Sequence, residues 1–205
     1  MRTILLLSVC TSIWSLPVAA QGVKLGLKVG GSRSQVLGNR RQNLESAYQT
    51  KAQSIAGFYG GVNLSMPIRR STHFAFQPEL VYLQRGFSIE NKPKRLRERD
   101  QYLELPLLVR FSQQGFFAEV GPQVGYFLAN RTNETNFNGQ DRAYSVEEHS
   151  EFKFSLGATA GLGYAWGSGP QVGVRYTVSS GRYTSSGVLA GYVGYTFGSS
   201  RSQKG

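Results

Sequence analysis

The sequence predicts an all-β fold: an eight-stranded antiparallel up-and-down transmembrane β-barrel with short turns at one end and long loops at the other. Three observations predict it. Eight segments alternate between apolar and polar residues with a period of two. Their connections alternate between tight and long. An export leader precedes them, and no later run of 18 apolar residues offers a spanning helix. A barrel leaves no such run, so its absence is compatible with a membrane protein.

The leader comes first. Arg2 is followed by an apolar run from Ile4 to Leu16, then by small residues at Val18 and Ala20. This is the pattern of a secretory signal peptide, with cleavage expected after Ala20. Cys10, the single cysteine, lies inside that run. The mature chain would therefore have neither a disulfide nor a thiolate site. The net charge is +11, of which the leader's Arg2 supplies one. A basic chain can suit nucleic acid, but an exported protein rarely meets any. The 205 residues are enough for one domain. The expected division is 1–20 leader, 21–198 barrel and 199–205 polar tail.

The predicted strands lie near 22–32, 54–66, 72–88, 101–112, 116–130, 150–166, 171–180 and 187–198. In the first, Val23, Leu25, Leu27 and Val29 oppose Lys24, Gly26, Lys28 and Gly30. The second sets Phe58, Val62, Leu64 and Met66 against Tyr59, Gly61, Asn63 and Ser65. In the third, Phe74, Phe76, Pro78, Leu80 and Tyr82 oppose Ala75, Gln77, Glu79, Val81 and Arg85. The fourth has Leu103, Leu105, Leu107, Val109 and Phe111 on one side and Tyr102, Glu104, Pro106, Leu108 and Arg110 on the other. The fifth is placed with Phe116 and Tyr126 outward and Glu119 inward. In the sixth, Phe152, Phe154, Leu156, Leu162, Tyr164 and Trp166 oppose Lys153, Ser155, Gly157, Thr159, Gly161 and Gly163. The seventh turns Arg175 inward, and the eighth sets Leu189, Val193, Tyr195 and Phe197 on one face.

The links 67–71, 113–115 and 167–170 are tight, whereas 33–53, 89–100 and 131–149 are long and polar and 181–186 is shorter. In an up-and-down barrel this sorting puts the tight turns at one end and the long loops at the other, as in outer-membrane barrels. The apolar face then meets lipid. A soluble barrel with that face inward is the competing arrangement. It calls for solvated Lys, Glu and Asp on the second face, which here is rich in glycine. Aromatic residues add two belts. Phe74, Phe76, Phe111, Phe116, Tyr164, Trp166, Tyr195 and Phe197 lie near the tight turns. Phe58, Tyr82, Tyr126, Phe152 and Phe154 lie nearer the long loops, and both belts suit bilayer interfaces.

The stretches GLKVGGS, GFYGGVNLSMPI, FAFQPELVYLQRGFS, YLELPLLVRF, FFAEVGPQVGYFL and GVRYTVSSG resemble the PorT-like outer-membrane β-barrel proteins of the Bacteroidetes. The order and spacing match over most of 22–198. The resemblance implies an eight-stranded barrel of the OmpX/OmpW-like architecture in the outer membrane of a Gram-negative bacterium, and little about activity. The member that names the family is associated with protein secretion and gliding, a role not carried over to this chain. The tail after Phe197, GSSRSQKG, departs from the usual ending on an aromatic residue.

An eight-stranded interior is just wide enough to be filled by side chains. Lys28, Glu79, Glu104, Arg110, Glu119 and Arg175 are expected inside as a compensated charge network that plugs the lumen, because an unpaired buried charge is costly. A proton or ion path is the functional alternative. Glu79 and Glu104 could neighbour each other, but a filled lumen gives a substrate no access. His73 and His149 are expected at opposite ends, too far apart for one site. The loop residues Lys92, Lys94, Arg95, Arg97 and Arg99 could meet anionic lipopolysaccharide or an acidic partner. Glu98 and Asp100 interleave with them, which favours an ordinary solvated loop. Pro78 and Pro106 require a bulge or a broken ladder.

The expected protein is thus a monomeric barrel with a structural or interaction role, without catalytic activity or cofactor. Its partners are outer-membrane lipid and the barrel-assembly machinery. The alternatives are a transport or ligand-binding barrel and an enzyme acting on lipid or peptide.

Overall fold

The computed structural model describes residues 22–68, 73–91, 94–136, 140–144, 154–181 and 185–198. The proposed leader, Lys92, His149, Phe152 and the polar tail lie outside them. The elements are β1 (Lys24–Leu37), α1 (Gly38–Tyr48), β2 (Gln53–Pro67), β3 (Phe74–Asn91), β4 (Lys94–Gln113), β5 (Phe116–Asn136), β6 (Gln140–Tyr144), β7 (Phe154–Ala165), β8 (Pro170–Gly181) and β9 (Ser185–Thr196). Each long strand pairs antiparallel with its neighbours, and β1 closes the ring on β9. Because β4 pairs β5 and β5 pairs β7, the closed ring has eight strands. The short β6 adds only to the far end of β5.

Alternation fixes the faces. Leu25, Leu27, Val29, Val62, Leu80, Leu105, Val120, Leu162, Val174 and Val193 point outward and are exposed. Their partners Lys28, Ser32, Asn63, Glu79, Glu104, Glu119, Thr159 and Arg175 are buried inside. Strands of 12 residues in β7, β8 and β9 are long enough to cross a bilayer, since a tilted strand needs about 9–11. Residues Gln114 and Gly115, with φ of 52° and 88°, form the β4–β5 connection. Two positive φ values in succession suit the twist of a two-residue hairpin.

The long connections depart from expectation. The stretch 33–53, expected as a loop, holds the end of β1 and the helix α1. The sequence of α1, GNRRQNLESAY, has no apolar stripe to announce it. It ends at Gln49, which adopts the left-handed conformation and returns its N–H to the carbonyl of Glu45. The stretch 89–100 is also not a loop. β3 runs to Asn91 and β4 begins at Lys94, so Lys94, Arg95, Arg97 and Arg99 sit in a strand. β5 likewise runs to Asn136 and carries β6. Beyond the membrane the outer face of a strand meets water instead of lipid. Hydropathy alternation is then not demanded, although the ladder still satisfies the backbone. The barrel is therefore lopsided, with β3 to β6 projecting above the rim on one side.

The prolines break the ladder without moving its register. β3–β4 pairing stops at Pro78–Leu107 and resumes at Val81–Glu104. β4–β5 pairing stops at Pro106–Gln123 and resumes at Val109–Val120, passing over Pro122. β2–β3 pairing skips the positions opposite Pro78 in the same way. Pro78 and Pro122 thus flank Leu107 on one rung, with Pro106 on the next. The register shifts lie elsewhere, between Ser54 and Tyr59 and between Gln101 and Tyr102.

Candidate functional site in the lumen

The interior holds seven buried charged side chains among the described residues: Lys28, Arg85, Arg110, Arg175, Glu79, Glu104 and Glu119. Strand alternation puts each on the inner face, and ring closure brings distant positions together. They form two groups.

The lower group lies toward the tight turns. Arg175 on β8 is its hub. Its guanidinium donates to Glu79 Oε2 at 2.6 Å, to Glu79 Oε1 at 3.1 Å, to Glu119 Oε1 at 3.1 Å from Nε, and to the Tyr59 hydroxyl at 2.7 Å. A further contact joins Arg175 Nη2 to Glu119. Lys28 on β1 reaches Glu79 Oε1 at 2.6 Å and Glu119 Oε2 at 3.6 Å. The Tyr192 hydroxyl donates to Glu119 at 3.1 Å, and Gln77 donates to Glu79 at 2.6 Å. Each carboxylate is therefore clamped by two cations and by neutral donors. Relative exposure is 4% at Lys28, 3% at Arg175 and 2% at both carboxylates.

Arg110 completes this level differently. It donates to the amide oxygens of Gln77 at 3.0 Å and Gln171 at 2.8 Å. Its guanidinium lies 3.5 Å from the centroid of the Phe117 ring. Among the seven buried charges the cations outnumber the carboxylates by one, and Arg110 is held by amide dipoles and an aromatic face. The stacked Tyr59 and Tyr192 rings, 5.8 Å apart, carry Lys28 4.7 Å over the latter.

Glycine makes the room. A Cβ on Gly163 would sit 2.3 Å from Phe117 Cζ, and one on Gly173 would sit 2.7 Å from Tyr192 Cζ. The glycines of β7 and β8 thus seat the bulky rings of β5 and β9.

Above this level Val81, Leu83, Val188 and Ala190 form an apolar layer. The upper group lies above that layer. Arg85 pairs with Glu104, and donates to the hydroxyls of Ser179 and of Ser186, the latter at 3.0 Å. Its guanidinium lies 3.7 Å from the Tyr102 ring centroid. A cavity of about 20 Å³ beside it is lined by Tyr102, Ser155, Ser186, Glu98 and Asp100, room for about one water. Val36, Phe87 and Ile89 close the space above.

The structure therefore brings Lys28, Glu79, Glu119 and Arg175 into one cluster, sets Arg110 beside it, and places Glu104 apart with Arg85. Sequence reasoning put Arg85 on the inner face but gave it no partner. It also missed Tyr59, Tyr192, Gln77 and Gln171. Their signal was their place on the inner face of paired strands.

On the outer surface, Phe58, Tyr82, Tyr126 and Phe154 lie toward the long-loop end, where Phe58–Tyr82 and Tyr126–Phe154 are ring contacts. Phe74, Phe76, Phe111, Phe116, Tyr164, Trp166, Tyr195 and Phe197 lie toward the tight turns, with contacts such as Phe74–Phe111 and Phe116–Tyr164. His73 stacks on Phe111 at 5.9 Å.

Residues 19–186 match the family described as the outer membrane protein beta-barrel domain. Among curated proteins, none matches this sequence. Three solved structures are among those similar to this chain. Ail, the attachment invasion locus protein of Yersinia pestis, shares 14% identity, with 86% of this chain and 99% of that one covered and a TM-score of 0.47. Neisserial surface protein A shares 15%, covering 86% and 97%, with a TM-score of 0.49. The N-terminal barrel of Pseudomonas aeruginosa OprF shares 12%, covering 85% and 97%, with a TM-score of 0.42.

Proposed function

We propose, for a chain that belongs to the outer membrane protein beta-barrel domain family, a sealed outer-membrane barrel with a structural or interaction role. The observation that carries this reading is the lower cluster. Side chains from β1, β2, β3, β5, β8 and β9 meet in it through buried ion pairs and hydrogen bonds. A lumen tied across in this way has no continuous water path. The cavity beside Arg85 has room for about one water, too little for a transported solute. Glu79 and Glu104 are both buried and paired with cations, so neither is offered to a substrate, and we read the barrel as non-catalytic.

Three finer points belong to the same proposal. The mature chain begins after Ala20, it works as a monomer in outer-membrane lipid, and it reaches the membrane through the barrel-assembly machinery. The stretches quoted from 22–198 support a place among the PorT-like barrels of the Bacteroidetes. Two assays test the reading. The folded chain is expected to need detergent or lipid and to migrate differently on a gel before and after boiling. Vesicles carrying it are expected to resist swelling in small sugars. A mature chain soluble without detergent, or rapid swelling, would sink it.

A further inference from the structure

The upper end of β4 reads RLRERD, with cations and anions interleaved. In a loop these charges would average out. In a strand they separate, because successive side chains point to opposite faces. Glu98 pairs with Phe87 and Asp100 with Arg85, both inward residues of β3. The two carboxylates therefore lie on the lumen side, where they line the small cavity beside Arg85. Arg97 and Arg99 lie on the opposite, outer face.

The register extends that outer face. Arg131 of β5 stands directly opposite Arg99, and Asn133 stands opposite Arg97. On β3 the same two rungs hold Gly86 and Ser88, and on β6 Ala143 stands opposite Asn133. Arg33 of β1 joins from the other side. Its Nε donates to the Ser54 hydroxyl at 2.6 Å, while Arg99 reaches the carbonyl of Ala56 at 3.4 Å, so both arginines converge on one short piece of β2. Among the described residues, no carboxylate shares the two rungs. Glu90 and Asp141 enter only at the next rung, that of Arg95 and Thr135.

Height identifies the anion. Leu103 shares a row with Tyr82 and Tyr126 of the upper aromatic belt. Tyr82 donates to Gln101 at 3.0 Å and receives from Gln84 at 3.2 Å, a polar layer just above that belt. Arg99 is the next outward residue, roughly 10 Å above Leu103 at about 3.4 Å per residue and a tilt of about 40°. The headgroup layer extends several Å beyond the hydrocarbon edge, which brings its phosphates within reach of a long arginine side chain at that height.

We propose that Arg33, Arg97 and Arg99 form a docking patch for the phosphate groups of outer-leaflet glycolipid, packed against the wall of the barrel. The proposal rests on the outer-membrane reading above and adds to it a lipid partner and its residues. Planar guanidinium groups suit phosphate.

The test uses the full chain folded in vesicles containing phosphorylated lipid A, then extracted in mild detergent. Native mass spectrometry counts the lipid A retained per folded barrel. Wild type is expected to retain it, and excess inorganic phosphate is expected not to displace it. R97Q alone is expected to weaken retention about five-fold, and R33Q/R97Q/R99Q at least about ten-fold. R95Q, at the rung that already carries carboxylates, is expected to change it less than R97Q. Retention unchanged in folded R97Q and in the triple variant would overturn the proposal. So would equal retention of dephosphorylated lipid A, or full displacement by inorganic phosphate. A chain that never enters the vesicles fails the membrane reading itself, whereas one that inserts and ignores lipid A phosphate fails only this proposal.

Discussion

The two levels of the lumen solve the same problem in different ways. Below the apolar layer, two carboxylates share Lys28 and Arg175 with two tyrosines and a glutamine, so each carboxylate meets both cations. Above it, Arg85 and Glu104 form a single ion pair eked out by serine hydroxyls and a water-sized cavity. The lower level resists the loss of any one contact other than its hub. The upper level has hydroxyls that rotate and a cavity with room for about one water. A barrel built this way is locked near the periplasmic turns and more adaptable near the projecting sheet.

Removing the hub is the strongest way to break that contrast. Arg175→Met leaves the buried Glu79 and Glu119 with Lys28 as their one ion-pair partner and strips the bidentate donors from both. Unfolding by urea in vesicles is expected to show a loss of about 3–5 kcal/mol. If the variant matched wild type, the hub assignment would fall.

Packing separates the levels next. An alanine Cβ at Gly163 meets the Phe117 ring and the carbonyl of Val172, both at 2.3 Å. At Gly125, in the upper level, the nearest neighbour is the Ser155 hydroxyl at 2.5 Å, which can rotate away. Gly163→Ala is expected to cost about 1–3 kcal/mol, and Gly125→Ala less, in the same unfolding assay. The reverse order would contradict the claim that the lower level is the rigid one.

Smaller still is the effect of deleting the upper pair whole. Arg85→Met with Glu104→Leu removes both charges together, so stability is expected to stay within about 1 kcal/mol of wild type. Either change alone is expected to cost more than the pair. A double-mutant cycle reads this directly, and a double variant worse than both singles would show that the upper pair anchors more than itself.

The smallest effect lies outside the membrane. Glu45 of α1 accepts from Arg41 Nε at 2.9 Å and from the Ala52 N–H at 3.1 Å. The bond from Arg41, and then that from Ala52, hold its carboxyl below the ordinary 4.5. A lowered folded value stabilises the structure fully above the unfolded value, and that contribution is lost as pH falls through the lowered one. Amide exchange at Ala52, corrected for intrinsic rate, is expected to be faster at about pH 3 than at about pH 6, with the barrel core unchanged. Equal protection at both pH values would deny Glu45 this role.

Much of this architecture could be read before any coordinates. Strict alternation across the bilayer told lipid side from lumen side, because a one-residue slip would put Glu79 or Arg110 into lipid. The connection lengths gave the two ends. The partners inside the lumen were harder. Glu104 pairs with Arg85, 19 positions away on the neighbouring strand, and Arg175 reaches Glu79 across 96 positions and the ring closure. Charge identity cannot show which cation meets which carboxylate without register and closure. Alternation places Tyr59 on the inner face without a partner and Tyr192 is assigned no face, and their hydroxyls find partners only where the walls converge. The projecting ends of β3, β4 and β5 escaped notice because wet strands carry no lipid face. For the same reason RLRERD passed for a mixed loop, although its alternation was already visible as a strand period.

The central claim is that the lumen is closed by its own charges. Conductance of single barrels in a planar bilayer measures this most directly. The wild-type chain is expected to give no steady ionic current, because Arg175, Glu79, Glu119 and Lys28 fill the section through which ions would pass. A stable open level from correctly folded, heat-modifiable protein would contradict it.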